Sequence, residues 1–129
     1  MYKTLLIFVP IFLMSAVPMT AAEPDGRTTA EIRHLLVFIS ASACQFNRNG
    51  SWHGASEAAA HIENKYRYAL KRDLIGKAED FIEYAATKST ISGKHYLVRC
   101  GGTTEIASAD WLTRELTAYR STRGKEGSQ

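Results

Sequence analysis

Cysteine, proline and unbalanced charge are all scarce in this chain, and each scarcity narrows what it can be. Two cysteines, Cys44 and Cys100, allow one intramolecular bridge at most. Basic residues number 16 against 13 acidic, a formal net charge of +3. So weak an excess does not make a nucleic-acid surface, even with Arg48, Arg67, Lys71 and Arg72 near Tyr66 and Tyr68. Ser92-Gly93-Lys94 has the letters of a phosphate-binding loop but lacks its first glycine. Its context is also reversed, with helix before and strand after. Neither a Gly-x-Ser-x-Gly elbow nor a Ser-x-x-Lys pair occurs, so no familiar serine-hydrolase signature is present.

Long apolar runs are confined to the start. Lys3 precedes "LLIFVPIFLMSAV", which is short for a membrane span and contains Pro10. "MTAA" follows, with small residues placed for cleavage after Ala22. Residues 1–22 therefore read as an export signal, and no cysteine lies there to carry a lipid. Residues 23–120 read as a single domain with no membrane span after processing. Residues 121–129, "STRGKEGSQ", read as a flexible polar tail. In an oxidising compartment Cys44 and Cys100 are expected to form a disulfide.

Apolar spacing predicts four helices. Thr28-x-x-Glu31 fits a capping box, and Ile32, Leu35, Leu36, Ile39 and Ala43 recur at the helical period after it. A second helix over 55–71 has Ala58, Ala59, Ile62, Tyr66, Ala69 and Leu70 on one face. Glu57, Glu63, Lys65, Arg67 and Lys71 form the solvated side. Asp73 can cap a third helix over 74–87, and Ser108 a fourth over 109–120 carrying Trp111, Leu112, Leu116 and Tyr119. "HYLVR" alternates with period two and reads as a strand. If Cys44 bridges Cys100 across an antiparallel pair, Phe46 lies opposite Val98, Arg48 opposite Tyr96, and Gly50 opposite Lys94. The expected fold is mainly α (α+β): about four helices, a small two-stranded antiparallel ribbon and one disulfide.

That register brings Arg48-Asn49 and Ser92-Gly93-Lys94 to one end of the ribbon, where two cations and several N–H groups could hold an anion. Asn-Gly is also ordinary turn chemistry, so a purely structural role competes with a functional one. Arg48, Asn49, Trp52, Ser92, Lys94 and Tyr96 are the candidate binding residues. His53, Glu57 and His61 form a second polar group. Glu57 and His61 stand four apart on one helix face, a spacing able to chelate a metal or to support a hydrolase. A surface Glu–His pair explains the same spacing. No metal, no cofactor and no catalytic residue is assigned.

Two resemblances bear on function. Ser92-Gly93-Lys94-His95-Tyr96 resembles the Ser-Gly-x-x-Tyr loop of periplasmic lysozyme inhibitors of the MliC type, although those are small β-barrels. Over a longer span, "FNRNGSWHGASEAAAHIENKY" and "KAEDFIEYAATKSTISGKHYLV" are similar to the YfeK-like family of small exported bacterial proteins. The sharpest matching letters are Arg48-Asn49-Gly50 and Gly93-Lys94-x-Tyr96; His53, Glu57, His61 and Lys65 also match. The resemblance implies a periplasmic protein of a Gram-negative bacterium and carries no catalytic residues with it. The chain is thus expected to be a small periplasmic binding or interaction protein. Its partner would be another envelope protein, a peptidoglycan fragment or a small anionic ligand. The alternatives are an envelope hydrolase using His61 with Glu57, and a lysozyme inhibitor acting through residues 92–96.

Overall fold

A computed structural model describes residues 24–128, together with residue 16. The expected export segment and its cleavage site lie outside the described residues, residue 16 apart. Helix α1 spans Gly26–Ala41. Its N-cap is Asp25, whose carboxylate accepts the Thr28 N–H at 2.7 Å. The expected Thr28–Glu31 capping box does not form, because both side chains are buried and turned to tertiary partners. Thr28 donates to the Gly76 carbonyl, and Glu31 binds Arg120.

Strands β1 (Gln45–Arg48) and β2 (Ser51–Gly54) form a hairpin. The two-residue turn places Asn49 at φ 54° and Gly50 at φ 84°. Asn-Gly adopts that left-handed pair readily, and its twist matches the flanking strands. Helix α2 (Ala55–Lys71) follows directly, covering the expected 55–71. Helix α3 is shorter than expected, Ala78–Ala85. Asp73 does not cap it. Instead the Asp80 carboxylate reaches back to the N–H groups of Gly76 and Lys77.

Strand β3 (Leu97–Arg99) pairs antiparallel with β1, with Phe46 opposite Val98 as expected from the cysteines. The Cys44–Cys100 disulfide is present. Two parts of the ribbon reading need correction. The sheet has four strands in the order β2-β1-β3-β4, with β4 at Ile106–Ala107. The extra strands flank the expected pair: the hairpin turn folds β2 back on β1, and a short loop returns β4 to β3. The β1–β3 ladder also stops at Asn47–Leu97. Tyr96 gives its N–H to the Thr87 carbonyl and accepts from the Ser108 N–H, so it has no ladder bond left for Arg48.

Helix α4 spans Ser108–Glu126 and so continues into the segment expected to be a tail. Ser108 is its first residue, and Ala107 holds the N-cap position. The four helices pack together, with α2 and α4 lying against one face of the sheet. Phe46 and Val98 supply that face, with Ile32, Leu35, Ile39, Phe81, Leu112 and Leu116 behind it. Trp111 packs edge-on to Phe46 at 5.6 Å and against Phe38 at 4.5 Å. Among the described residues no helix is long and apolar enough to cross a membrane.

Leu116 is 2% exposed and docks α4 into this core. Leu116→Ala is expected to lower unfolding free energy by about 3 kcal/mol, within the usual range for buried leucines. Denaturant unfolding measures it, and a loss below about 0.5 kcal/mol, typical of surface sites, would show that α4 is not held by this face.

Candidate functional site

The hairpin turn, the loop after α3 and the inner face of α2 meet at one end of the sheet. Glu57, His61 and Lys65 recur every fourth residue of α2, so they rise along one side of the helix. Each takes a partner from another element or from the hairpin. The His53 Nδ1 lies 2.9 Å from Glu57 Oε1. The His61 Nε2 lies 3.3 Å from the Tyr96 hydroxyl. The Lys65 ammonium donates to the same hydroxyl at 3.1 Å and to the Lys88 carbonyl at 2.7 Å.

Tyr96 is buried at the centre of this group. Its hydroxyl oxygen accepts from Lys65, which can only donate. The hydroxyl proton is then available to His61 Nε2, which places the neutral ring's own proton on Nδ1 in the arrangement that satisfies all three groups. Burial raises the Tyr96 phenol above its ordinary value of 10.0, against the pull of Arg48, so it stays protonated at neutral pH. Burial also holds the His61 imidazole below 6.5, helped by the charges of Arg48, Lys65 and His53. Lys65 is pushed below 10.5 by burial and by Arg48. Burial first, and the charge of Arg48 from the neighbouring strand second, thus disfavour the charged forms of both His61 and Lys65.

These residues border a narrow cleft between the sheet and α2. Phe46, Ala58 and Ile62 give apolar walls; Arg48, His53, Glu57, His61, Tyr96 and Ser108 complete the lining, and the surface open to the cleft is almost wholly apolar, with their polar atoms turned to its edge or into the packing. The space open to the centre of a water-sized group is about 20 Å³. Ser108 is fully buried. Its Oγ is, among the described residues, the one buried side-chain polar atom with no hydrogen-bond partner. A lone buried hydroxyl costs free energy, and Ser108, sealed at the start of α4, bears that cost inside the packing rather than presenting the group to the cleft.

The expected binding residues divide. Arg48 and Tyr96 reach the cleft, joined by His53, Glu57 and His61 from the second group. Asn49 and Ser92 meet each other instead: the Ser92 hydroxyl donates to Asn49 Oδ1, and Asn49 Nδ2 donates to Ser89. That bond clamps the hairpin turn to the 88–95 loop and so supports the cleft from outside. Lys94 is exposed and does not line the cleft. Trp52 takes the opposite side of β2 from His53, where the Arg99 guanidinium covers its ring at 4.0 Å. Glu57 and His61 both line the cleft but take His53 and Tyr96 as their respective partners. Among the described residues no group of three His, Cys, Asp or Glu is placed to hold a metal ion.

Two contributors escaped the sequence reading. Lys65 was assigned to the solvated side of its helix, although its spacing of four from His61 was a usable signal. Ser108 was assigned to capping, which satisfies a serine locally; only the packing shows its hydroxyl alone.

The fold and cleft define a small disulfide-linked α+β domain with a cation-bordered pocket. The chain belongs to a family of unknown function (DUF5329), whose model matches residues 26–120. No curated protein and no solved structure matches it.

Proposed function

We propose that this is an exported, periplasmic binding protein whose Arg48–His61–Lys65–Tyr96 group, at the edge of the cleft, takes the anionic group of a small ligand. The observation that carries the reading is the convergence of Arg48, His53, His61 and Lys65 around Tyr96. Burial and the nearby charge of Arg48 disfavour the charged forms of His61 and Lys65, and an incoming negative charge relieves that cost. The disulfide supports an oxidising compartment. The resemblance to YfeK-like proteins supports the same location, and its matching letters include Arg48, His53, Glu57, His61, Lys65 and Tyr96.

The hydrolase alternative pairs His61 with Glu57, whereas His61 Nε2 takes the Tyr96 hydroxyl and Glu57 takes His53 as partner. Inhibition of a lysozyme through residues 92–96 would need the loop to present Tyr96, which is only 5% exposed.

Titrating the oxidised chain with sodium acetate and with inorganic phosphate, followed by amide chemical shifts, tests the proposal. Saturable shifts are expected at Phe46, Arg48, His61 and Ser108. Arg48→Ala should weaken binding about tenfold or more, as loss of a charge-assisted contact does, while Lys94→Ala leaves it unchanged. The pH dependence has a defined sign. An anion favours the imidazolium, so binding raises the pKa of His61 and takes up a proton. Affinity therefore rises as pH falls through the range below 6.5, where the empty site still holds His61 neutral. Absence of saturable shifts with both anions, or equal binding by Arg48→Ala, would overturn the proposal.

A further inference from the structure

The cleft is apolar inside and cationic at its edge. Phe46, Ala58 and Ile62 supply its apolar walls. Arg48 belongs to the same lining and is half-buried. Among the described residues no carboxylate lies within ion-pair distance of Arg48. His61 and Lys65 meet at the Tyr96 hydroxyl beside the cleft. An apolar hollow next to an unpaired cation suits one molecule that carries both an alkyl group and a negative charge.

We infer that the ligand is a short aliphatic monocarboxylate, with its alkyl group in the apolar cleft and its carboxylate on Arg48 at the edge. The inference rests on the anion-binding reading above and names the ligand class of that site. A guanidinium presents a planar fork of N–H donors that matches the two oxygens of a carboxylate. Lys65 already donates to Tyr96 and to the Lys88 carbonyl, so Arg48 is the less committed of the two fixed cations. Glu57 also lines the cleft, where its negative charge favours a monoanion over a dianion.

Room sets the length of the alkyl group. The space of about 20 Å³ suits one or two small groups, as a methyl or ethyl needs, and excludes a ring. An empty apolar hollow forgoes dispersion contacts along its walls, and a short alkyl group restores them. Each methylene withdrawn from water there should tighten binding about fourfold. A free short-chain acid has this chemistry, and so does the C-terminal alanine of a peptide, whose methyl and carboxylate share one carbon.

Amide-shift titrations of the oxidised chain at pH 7 with formate, acetate, propionate and pivalate test the inference. Affinity should rise along the first three, with propionate about tenfold tighter than formate. Pivalate, whose branched group overfills the space, should lose most of that gain. Propionamide, which keeps the alkyl group without the charge, should bind at least about tenfold more weakly than propionate. Ala58→Leu, which fills the cleft from α2, should bring the propionate and formate affinities together. N-acetylalanine separates the sources: binding as tight as that of propionate assigns the site to a peptide end, and weaker binding assigns it to a free acid. If formate binds as tightly as propionate, if pivalate binds no more weakly than propionate, or if Ala58→Leu keeps the full gain, the alkyl inference fails and the anion reading stands. If propionamide binds as tightly as propionate, or if none of these acids nor phosphate gives saturable shifts, both readings fall together.

Discussion

Reduction of the Cys44–Cys100 disulfide is expected to remove about 4 kcal/mol of stability, the entropy of opening a loop of this length in the unfolded chain. The bridge joins residues separated by 56 in sequence. It ties the end of α1 to the end of β3, so breaking it frees the unfolded chain far more than the folded one. The buried faces of Phe46 and Val98 remain apposed without it, and the reduced protein should keep its native spectrum. Denaturant unfolding with and without a phosphine reductant gives the difference directly. The double variant Cys44→Ala with Cys100→Ala should match the reduced form to within about 1 kcal/mol, since one buried sulfur is a small packing loss. A reduction cost below about 1 kcal/mol would mean that the unfolded loop is already closed by other contacts.

Loss of Arg120 is the second large effect. This residue in α4 makes a paired contact with Glu31 of α1, through Nε and Nη2 at 2.9 Å each. It also binds both oxygens of Glu79 in α3. One guanidinium thereby holds three helices. The Glu31 side chain is only 5% exposed, whereas Arg120 and Glu79 are 35% and 43% exposed. Arg120→Met strands a buried carboxylate, which Arg27 at 3.4 Å offsets only in part. Removing one partner of a fully buried pair costs about 3–5 kcal/mol; the solvent reaching Arg120 puts the expected loss near 3 kcal/mol. Glu79→Gln, at the exposed arm, should cost about 1 kcal/mol or less.

The acid limb of stability follows from the same group. Hydrogen bonds from Arg120 hold the Glu31 and Glu79 carboxyls below their ordinary 4.5. Between 4.5 and those lower values the unfolded state carries more protons than the folded state. The contribution is therefore complete above 4.5 and is lost as pH falls through the folded range. Arg120→Met should flatten that limb when unfolding is compared at pH 7 and pH 3.5. A loss below 1 kcal/mol with an unchanged acid limb would show that water or Arg27 serves Glu31 equally well.

Much of the scaffold was legible because it depends on local periodicity. Helix α2 stands where its apolar stripe placed it, and the pairing of Phe46 with Val98 follows from two cysteines and the period of a strand. The misreadings share one cause. Thr28, Glu31 and Ser108 are residue types that usually satisfy themselves at a helix start, so capping was the economical reading of each. In the folded chain Asp25 takes the cap, Glu31 is claimed by a residue far along the sequence, and Ser108 is sealed beneath the sheet. Strand β4 spans only two residues, too few for a period to show.

The candidate site divides the same way. His53, Glu57, His61, Arg48 and Tyr96 could be singled out by type and spacing, but as two separate groups. Sequence alone determined the Cys44–Cys100 pair, the helical stripes and the pairing of Phe46 with Val98 that the cysteines set, because those follow from nearest-neighbour geometry along the chain. Tertiary structure decided that the two groups share one cleft, that Lys65 reaches the Tyr96 hydroxyl beside it, that Trp52 and Lys94 stay outside it, and that Ser108 is left without a partner. Each of those outcomes depends on which faces of α2 and the sheet pack together, and that depends on burial summed over the whole core rather than on any local signal.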